Sequence, residues 1–375
     1  MNVGGIQKSL LELLKALSKE GRYDVSLFLC HKAGDYLEQI PEEIHILQEN
    51  PYAKITEIPL SQCKQMGMRF YCRRLMCSIW SKCFGKAIPA KLLCKRIGKI
   101  EGIYDVAISF VQPIEDKAFC ALTNEIVLDC AIAKKKATFI HCDFGAYGGN
   151  TKRNRNLYRR FHAIATVSDS VGHRFMQIVP DQASKVQTVY NFCDSKQIYE
   201  LAQKEPVEYE RPCIITVARL SEEKGLLRCV PLFARLRDQG ISFEWHIVGG
   251  GNLLKPLQDA IQTHGLEKMI ILEGQQINPY RYIRNADYFL LPSYHEAAPM
   301  VYDEAMVLQV PFLTTRTLSA KELVEDRGIG IVCDNTDTAI EDMLRRALKS
   351  VYRSNRKWIV DGNIPMKQFD ELCKI

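Results

Sequence analysis

The segment 286–308 constrains the fold more than any other part of the sequence. An apolar run of strand length, 286–291, ends at a proline, and apolar residues recur at helical spacing from Val301 onward. The segment therefore predicts a strand, a loop and a helix in succession. Glu296 falls on the loop at the carboxyl end of the strand, and Glu304 falls inside the helix.

Two acidic residues in such a segment indicate a ligand site, because open α/β sheets bind ligands at the carboxyl ends of their strands. The free backbone amides of Met300 and Val301 at the predicted helix start favour an anion. A carboxylate accepts hydrogen bonds from a sugar diol. Glu296, Glu304 and these amides together point to a phosphorylated ligand that carries hydroxyl groups. The plainer alternative is a surface helix that merely carries two acids.

The same alternation of strands and helices runs through the whole chain and predicts an α/β fold with parallel sheets. A chain of 375 residues exceeds what one core usually supports, so two doubly wound domains are expected. The predicted domains are 1–195 and 211–350, joined by a polar linker at 194–211 and followed by a tail, 351–375. The predicted strands are 24–30, 104–110, 137–141, 163–168 and 189–192 in the first half, and 213–218, 243–248, 269–273, 286–291, 310–314 and 330–333 in the second.

Two features of the first half are candidates for a binding site. Gly4 and Gly5 begin a predicted helix, where glycine lets the backbone approach a ligand closely. A loop of this kind should follow a strand, and only three residues precede it, so the first domain is expected to lack its first strand. His141 ends a predicted strand, a position where a histidine is as often functional as structural. The segment 145–160 is rich in Gly, Asn and Arg and is predicted to be a mobile loop.

In the second half, Arg219 and Lys224 follow the strand 213–218 on one loop. An arginine fork and a lysine ammonium suit a diphosphate, although a solvated turn is an alternative for such a pair. Glycines 249–251 follow the next strand and permit close approach of a nucleotide, but they do not match the full Gly-x-Gly-x-x-Gly pattern.

Composition places the chain among ordinary globular proteins, with 25% charged and 47% apolar residues. No run of about 18 uncharged apolar residues and no secretory signal is visible, so neither a membrane span nor export is expected. The 14 cysteines contain no pair of Cys-x2-Cys motifs, so no zinc site is predicted. These features predict a reduced, cytoplasmic protein.

The net charge of +6 is unevenly placed, because 58–100 contains no Asp or Glu. Trp80, Phe84 and other large apolar residues are interspersed among its basic residues. A basic helix with an aromatic apolar face is typical of an element that lies on an anionic membrane surface, here the inner face of the cell membrane. The alternative is a core-facing helix whose solvated side is basic. Nucleic acid is not expected, because no binding motif accompanies the charge. The basic residues are Lys64, Arg69, Arg73, Arg74, Lys82, Lys86, Lys91, Lys95, Arg96 and Lys99.

Together these motifs resemble one family, the retaining glycosyltransferases of GT-B fold that carry a Glu-x7-Glu motif (glycosyltransferase group 1, family 4). The resemblance covers nearly the whole chain, and its most specific part is 293–305 combined with Arg219 and Lys224. The His-x-Asp sequence after a strand is most similar to that of bacterial enzymes that build capsular or lipopolysaccharide sugars. The other matching residues are Gly4, Gly5, His141, Asp143, Val167, Ser168, Asn191, Gly225, Asp287 and the segments 217–220 and 247–251.

The resemblance implies two Rossmann-like domains that face a cleft. It assigns 1–195 to the acceptor side and 211–350 to the nucleotide sugar, with the tail 351–375 crossing back to the first domain. Arg219 and Lys224 would bind the donor diphosphate.

The resemblance also implies roles for single residues, with neither metal nor cofactor. Catalytic roles fall to His141, Arg219, Lys224 and Glu296. Glu296 would hold hydroxyls of the donor sugar, and His141 would lie near its reacting face. The implied donor-binding residues are Gly4, Gly5, Gly249, Gly251, Ala298, Pro299, Met300, Val301 and Glu304, the last of these at the ribose.

The implied reaction is transfer of a sugar from a nucleotide-sugar donor to a saccharide or lipid-linked acceptor, with retained anomeric configuration, in cell-surface polysaccharide synthesis. The alternatives are a nucleotide-sugar 2-epimerase of the same fold and a non-catalytic sugar-nucleotide-binding or membrane-scaffold protein. Three features depart from the family pattern. Ala297 replaces the usual Gly after Glu296, Gln309 stands where Gly is common, and the first strand is absent.

Overall fold

The computed structural model describes residues 4–113, 115–146, 148–349 and 357–374. It divides the chain into two compact units. The first unit is discontinuous and contains the chain up to Phe192 and again from Asn363. The second unit is Cys193–Gly362.

The first unit alternates helices with short parallel strands. Its helices are α1 (Gly5–Glu20), α2 (Pro51–Lys54), α3 (Leu60–Gln65), α4 (Met68–Phe84), α5 (Ala87–Ile97), α6 (Thr123–Asp129), α7 (Lys152–Tyr158) and α8 (Asp169–Ile178), with 3-10 turns at Leu37–Gln39 and Pro180–Lys185. Its strands are β1 (Ser26–Leu27), β2 (His45–Ile46), β3 (Tyr104–Ser109), β4 (Ala133–Ile140), β5 (Ala163–Thr166) and β6 (Val186–Thr188). Within the described ranges, β1 pairs with β2 in one sheet, and a second sheet has the order β3-β4-β5-β6.

Three predictions for this unit are wrong in detail. The predicted strand 24–30 is reduced to Ser26–Leu27. The segment 189–192 is not a strand, because the Tyr190 amide donates to the Gln368 side chain at 3.0 Å, and the strand Val186–Thr188 lies just before it. The predicted mobile loop 145–160 contains helix α7, because the Thr151 hydroxyl caps the Asn154 amide at 3.1 Å.

The second unit is built on one parallel sheet. Its strands are β7 (Cys213–Val217), β8 (Glu244–Val248), β9 (Ile270–Gly274), β10 (Tyr288–Leu291), β11 (Phe312–Thr315) and β12 (Gly330–Cys333). Its helices are α9 (Ser195–Ala202), α10 (Leu226–Asp238), α11 (Leu254–Thr263), α12 (Tyr280–Ile283), α13 (Val301–Val307) and α14 (Asp337–Lys349), with a 3-10 turn at Glu222–Lys224 and a π-helical turn at Lys321–Glu325. The strand order over the described residues is β12-β11-β10-β7-β8-β9.

The core of this unit packs α10 and α14 against one face of the sheet. Trp245 of β8 is fully buried and stacks on Phe233 of α10 at a centroid distance of 4.6 Å. Met343 and Leu344 of α14 belong to the same apolar cluster. The predicted linker 194–211 is not all irregular chain: it begins with helix α9, which the Asp194 carboxylate caps by accepting from the Gln197 amide at 2.9 Å.

The last helix, α15 (Asn363–Cys373), lies in the first unit. The Phe369 ring meets Tyr23 edge-on at 5.7 Å, and the Tyr23 hydroxyl donates to the Asp370 carboxylate at 2.5 Å. Trp358 lies in the second unit, where its backbone amide donates to the Gln309 side chain at 2.9 Å. Of the predicted tail 351–375, residues 351–356 and 375 lie outside the described residues.

Candidate functional site

The two predicted motifs of the second unit meet at the centre of its sheet. β7 pairs in parallel with β8 on one side and with β10 on the other. The strands from β7 to β9 are added toward one edge of the sheet and those from β10 to β12 toward the other, so the strand order switches between β7 and β10. The loops 218–225 and 292–300 follow these two strands. Such a switch point forms a crevice at the carboxyl ends of the strands, the usual ligand site of an open α/β sheet.

Lys224 and Glu296 form an ion pair at this crevice. Lys224 Nζ lies 2.5 Å from Glu296 Oε1, and the Ser293 hydroxyl donates to the same oxygen at 2.6 Å. Glu296 is only 10% exposed. A carboxylate held by two donors keeps a fixed orientation, so the loop presents one organised polar group instead of a mobile acid.

Close backbone packing brings these two loops together. Gly225 has a left-handed φ of +65°, and a Cβ at this position would lie 2.2 Å from the Pro292 carbonyl oxygen. The Tyr294 amide donates to the Glu223 carbonyl at 2.8 Å. Glycine is therefore required at position 225, and the Lys224 loop and the Glu296 loop form one unit.

Arg219 is exposed on the first of these loops. Its neighbour Leu220 is buried, and the Leu220 amide donates to the Gly250 carbonyl at 2.9 Å. A Cβ on Gly249 or Gly251 would lie 1.9 Å from the Ala218 carbonyl or 2.3 Å from the Leu220 carbonyl. These glycines are thus explained by loop packing that supports Arg219, and their predicted contact with the donor stays a prediction.

The helix after the second loop begins at Val301, with Met300 as its N-cap, so Pro299 and Ala298 lie just before it. Glu304 is inside the helix and 2% exposed. Its neighbour Asp303 pairs with Arg327 at 2.8 Å, and burial raises the pKa of the Asp303 carboxyl.

Ala297 is buried, and its backbone is not left-handed. This loop therefore needs no glycine after Glu296.

His141 lies in the first unit, immediately after β4. Its ring packs 4.6 Å from Phe110 and 5.7 Å from Phe139, and burial lowers the pKa of the imidazole to about 4. Within the described ranges, Nε2 has no hydrogen-bond partner. The Gln112 side chain accepts from the amides of His141 and Cys142 at 2.6 and 3.0 Å and so fixes the turn. The His141 imidazole is therefore neutral at pH 7, and the backbone at His141 is fixed by hydrogen bonds.

Gly4 and Gly5 stand at the start of α1, as predicted. Gly4 is extended, with φ −173°, and a Cβ on Gly5 would meet no atom within 4 Å. The backbone conformation therefore does not require glycine at position 4, and local packing does not require it at position 5. The structure brings Lys224, Glu296 and Ser293 into contact in the second unit, whereas Gly4, Gly5 and His141 belong to the first.

Sequence reasoning missed three polar residues around the Glu296 loop. Ser293 belongs to the motif but the sequence assigns it no role, and no motif includes Arg228 or Asn335. A signal was available for Arg228, because it interrupts the apolar run of α10 at a position next to buried Cys229.

No group of three or more His, Cys, Asp or Glu side chains in the described part of the chain is arranged to hold a metal ion. Independence of the reaction from metal stays a prediction.

Residues 197–362 match the family model "Glycosyl transferases group 1". The amylovoran biosynthesis glycosyltransferase AmsK of Erwinia amylovora is 35% identical over 132 residues, which are 33% of this chain and 32% of that protein. For the first curated relatives that it matches, this chain covers between 32% and 34% of their length. The N-acetylgalactosamine-N,N'-diacetylbacillosaminyl-diphospho-undecaprenol 4-alpha-N-acetylgalactosaminyltransferase of Campylobacter jejuni is 23% identical over 372 residues, 94% of this chain and 92% of that protein.

Among solved structures, Anabaena Alr3699/HepE in complex with UDP and glucose superposes with a TM-score of 0.64 at 16% identity, over 98% of this chain and 91% of that one. The predicted α/β GT-B fold is confirmed. The predicted resemblance to the group 1 glycosyltransferases is also confirmed, by the match of residues 197–362 to that family model.

Proposed function

We propose that this protein transfers a sugar from a nucleotide-sugar donor to a saccharide or lipid-linked acceptor, with retention and without a metal, in cell-surface polysaccharide synthesis. The group 1 domain and the amylovoran biosynthesis relative support this reading. The Campylobacter relative, named for an undecaprenol-linked saccharide, supports a lipid-linked acceptor. A solved structure of the same fold holds UDP and glucose, which supports a nucleotide-sugar donor.

The contact between Lys224, Glu296 and Ser293 at the β7/β10 crevice carries the proposal. Lys224 and Arg219 would bind the donor diphosphate, and their charge would stabilise the departing nucleotide. Glu296 would accept hydrogen bonds from sugar hydroxyls. Glu304, inside the helix that follows the Glu296 loop, would bind the ribose.

The remaining assignments are supporting ones. The backbone of Ala298, Pro299, Met300 and Val301 would face the phosphates, and Gly249 and Gly251 would border the nucleotide. In the first unit, Gly4 and Gly5 would approach the donor phosphates. His141, neutral because its pKa is lowered to about 4, would act as a hydrogen-bonding group near the sugar and not as a cation.

A ligand screen followed by product analysis tests the proposed reaction. Incubation with UDP-, GDP- and dTDP-sugars should show one donor that raises the melting temperature. Sugar transfer should then require an acceptor and persist in EDTA. An altered nucleotide sugar formed without acceptor would identify a 2-epimerase, and donor binding with no reaction would identify a non-catalytic binding protein.

Substitutions of the two glutamates should have different effects on ligand binding. Glu304→Gln should weaken binding of the bare nucleoside diphosphate, because it weakens the contact to the ribose. Glu296→Gln should spare the diphosphate and impair the sugar-bearing donor. Calorimetry with both ligands on both variants measures this, and identical behaviour of the two variants would contradict the division of roles.

We further propose an anionic membrane as a partner of the segment 58–100. It folds mainly as helices α3, α4 and α5, and the outward side of α4 is apolar. Phe84 is 76% exposed and Trp80 is 42% exposed, with their rings 5.2 Å apart. Met76, Ile79, Ile88 and Leu92 are also exposed.

The solvated side of these helices is thus apolar as well as basic, which favours the membrane over the core-facing alternative. Two basic residues do not share in it: Lys86 is fully buried, and Arg74 donates to the Phe119 carbonyl. None of the helices in the described ranges is long and apolar enough to cross a membrane. A place on the inner face of the cell membrane, in a reducing compartment, accords with the free state of the cysteines.

A further inference from the structure

The end of strand β10 and the loop that follows it, which carries Glu296, are held by buried side chains from neighbouring elements. A buried carbonyl that loses its donor costs about 1–3 kcal/mol, so a series of such bonds fixes the path of a loop. The buried hydroxyls in this series are Thr216 on the Leu290 carbonyl at 2.7 Å, Thr314 on Leu291 at 2.9 Å, Thr315 on Ser293 at 2.5 Å and Ser319 on Ala297.

Arg228 of α10 supplies the bond at the Pro292 carbonyl. Its Nη2 donates to that oxygen at 2.6 Å, and its guanidinium lies 4.0 Å from the centroid of the Tyr294 ring. The Arg228 side chain is only 8% exposed, and the carboxylate of Asp337 lies 3.9 Å away and is largely exposed. A buried guanidinium held chiefly by neutral groups is costly, so its position calls for an explanation beyond packing.

Asn335, just after β12, uses both ends of its amide. Its Oδ1 accepts from Arg228 Nη2 at 2.6 Å, and its Nδ2 donates to the carbonyls of Ser293 and Tyr294 at 3.3 and 3.1 Å. Arg228 and Asn335 therefore grip three consecutive residues, 292–294, from two different elements. We call Arg228 and Asn335 the loop clamp.

The clamp acts next to the groups of the proposed donor site. Ser293 donates its hydroxyl to Glu296, so a shift of the Ser293 backbone moves the partner of that carboxylate. We propose that Arg228 and Asn335 are positioning residues that set the place of Glu296, and with it the enzyme's discrimination between a nucleotide sugar and the bare nucleoside diphosphate. This inference rests on the proposed function.

Asn335→Ala and Arg228→Ala test the clamp in the full chain. The ligands are the nucleotide sugar that stabilises wild-type protein most among UDP-, GDP- and dTDP-sugars, and its own nucleoside diphosphate. We expect each variant to bind the nucleotide sugar roughly tenfold more weakly, the size expected for a lost buried hydrogen bond, and the diphosphate within about twofold of wild type. Equal weakening of both ligands would overturn the proposal, because a merely structural defect acts on both.

Two conservative variants sharpen the test. Asn335→Asp keeps an acceptor for Arg228 but turns a second oxygen toward two carbonyls, so it should lose donor selectivity as Asn335→Ala does. Arg228→Lys keeps the charge but not the planar fork, and it should also fail to restore selectivity. Full rescue by lysine would show that charge alone matters, and would overturn a positioning role.

Arg235→Ala is the matched control. Arg235 lies on the same helix two turns further along and pairs with Glu341 at 2.8 Å, away from the loop. It should leave the binding of both ligands unchanged. A selectivity loss equal to that of Arg228→Ala would assign the effect to α10 in general and overturn the clamp.

Hydrogen exchange on the ligand-free variants separates this inference from the proposed function. The clamp predicts faster amide exchange in 292–298 for Asn335→Ala, with little change in the strands. A wild-type protein that binds no nucleotide sugar would remove the proposed function. If the wild-type protein binds donor but the variants keep its ligand selectivity and its amide exchange rates, only the clamp proposal is contradicted.

Discussion

The two units differ in how completely their strands are paired. In the second unit the strands of the described chain share one parallel sheet, and β10 is fully buried. In the first unit β1 and β2 stand apart from the sheet that begins at β3, and Val106 and Ile108 of β3 are only half-buried. The comparison teaches that the second unit builds its site on one continuous sheet with a buried central strand, whereas the first unit is divided between two sheets and exposes an apolar helix face.

The largest effect should come from removing the helix that completes the first unit. Deleting 363–375 removes Phe369 and Leu372, both buried, and should cost that unit roughly 5 kcal/mol, since each large buried side chain contributes about 2–5 kcal/mol. Hydrogen exchange should show loss of protection in the first unit only. Transfer should be lost, while the second unit still binds nucleotide. The point variant Phe369→Ala is the milder control, and normal transfer by the truncated protein would contradict the prediction.

The next effect concerns the second unit alone. Lys224→Ala removes the proposed diphosphate contact and leaves Glu296 without its cation, so turnover should fall by roughly 2–4 kcal/mol in transition-state stabilisation. Lys255→Ala is the matched control, because Lys255 is exposed on α11 and pairs only with Asp259, at 2.6 Å, among the described residues. Steady-state kinetics and donor calorimetry decide. Unchanged turnover and donor affinity in Lys224→Ala would contradict the assignment.

A smaller effect should appear on the open face of the first unit. Co-sedimentation with anionic vesicles should exceed that with neutral vesicles and weaken with salt, because exposed charges are screened over about 10 Å at roughly 0.1 M. Each Lys or Arg near the surface contributes about 1 kcal/mol. Phe84→Ala should reduce binding further by removing an exposed ring. Ile277→Ala, an exposed apolar residue of the second unit, should not. Equal binding to both vesicles, or none to either, would contradict the membrane proposal and indicate that α4 is a solvated basic helix.

Sequence reasoning found the second unit more completely than the first, for a physical reason. Buried parallel strands such as β10 and β11 are continuous apolar runs, so 286–291 and 310–314 were predicted within a few residues of the observed strands. In the first unit, β1 has only two residues. β6 ends at Thr188, and the backbone amide of Tyr190 donates to the Gln368 side chain instead of to a neighbouring strand. A local pattern cannot reveal a partner that lies 178 residues away.

The site shows the same limit. Lys224 and Glu296 were predicted because each follows a strand, and parallel strands that end at one edge bring their loops together. The clamp residues Arg228 and Asn335 were missed, since one lies in a helix and the other in a turn with no motif. Their role depends on which carbonyls they reach, and only the three-dimensional path of 292–294 decides that.

The smallest effect concerns Gln309, which stands where glycine is common in the family that the sequence resembles. Its backbone is left-handed, with φ +61°, which costs a non-glycine residue of order 1 kcal/mol. Its side chain offsets this: Nε2 donates to the Trp358 carbonyl at 2.8 Å, and Oε1 accepts from the Trp358 amide at 2.9 Å. The glutamine thus fastens the chain around Trp358 to the second unit.

Gln309→Gly should therefore destabilise the second unit slightly, by about 1 kcal/mol. The two hydrogen bonds to Trp358 and a third, from Nε2 to the Met306 carbonyl at 2.9 Å, are lost, and only one strained conformation is relieved. Gln309→Ala should cost more, about 2 kcal/mol, because it loses the bonds and keeps the strain. Urea unfolding followed by a probe in the second unit should give the order Gln, then Gly, then Ala, with the first unit unchanged. A glycine variant more stable than wild type would show that backbone strain, and not the contact with Trp358, governs this position.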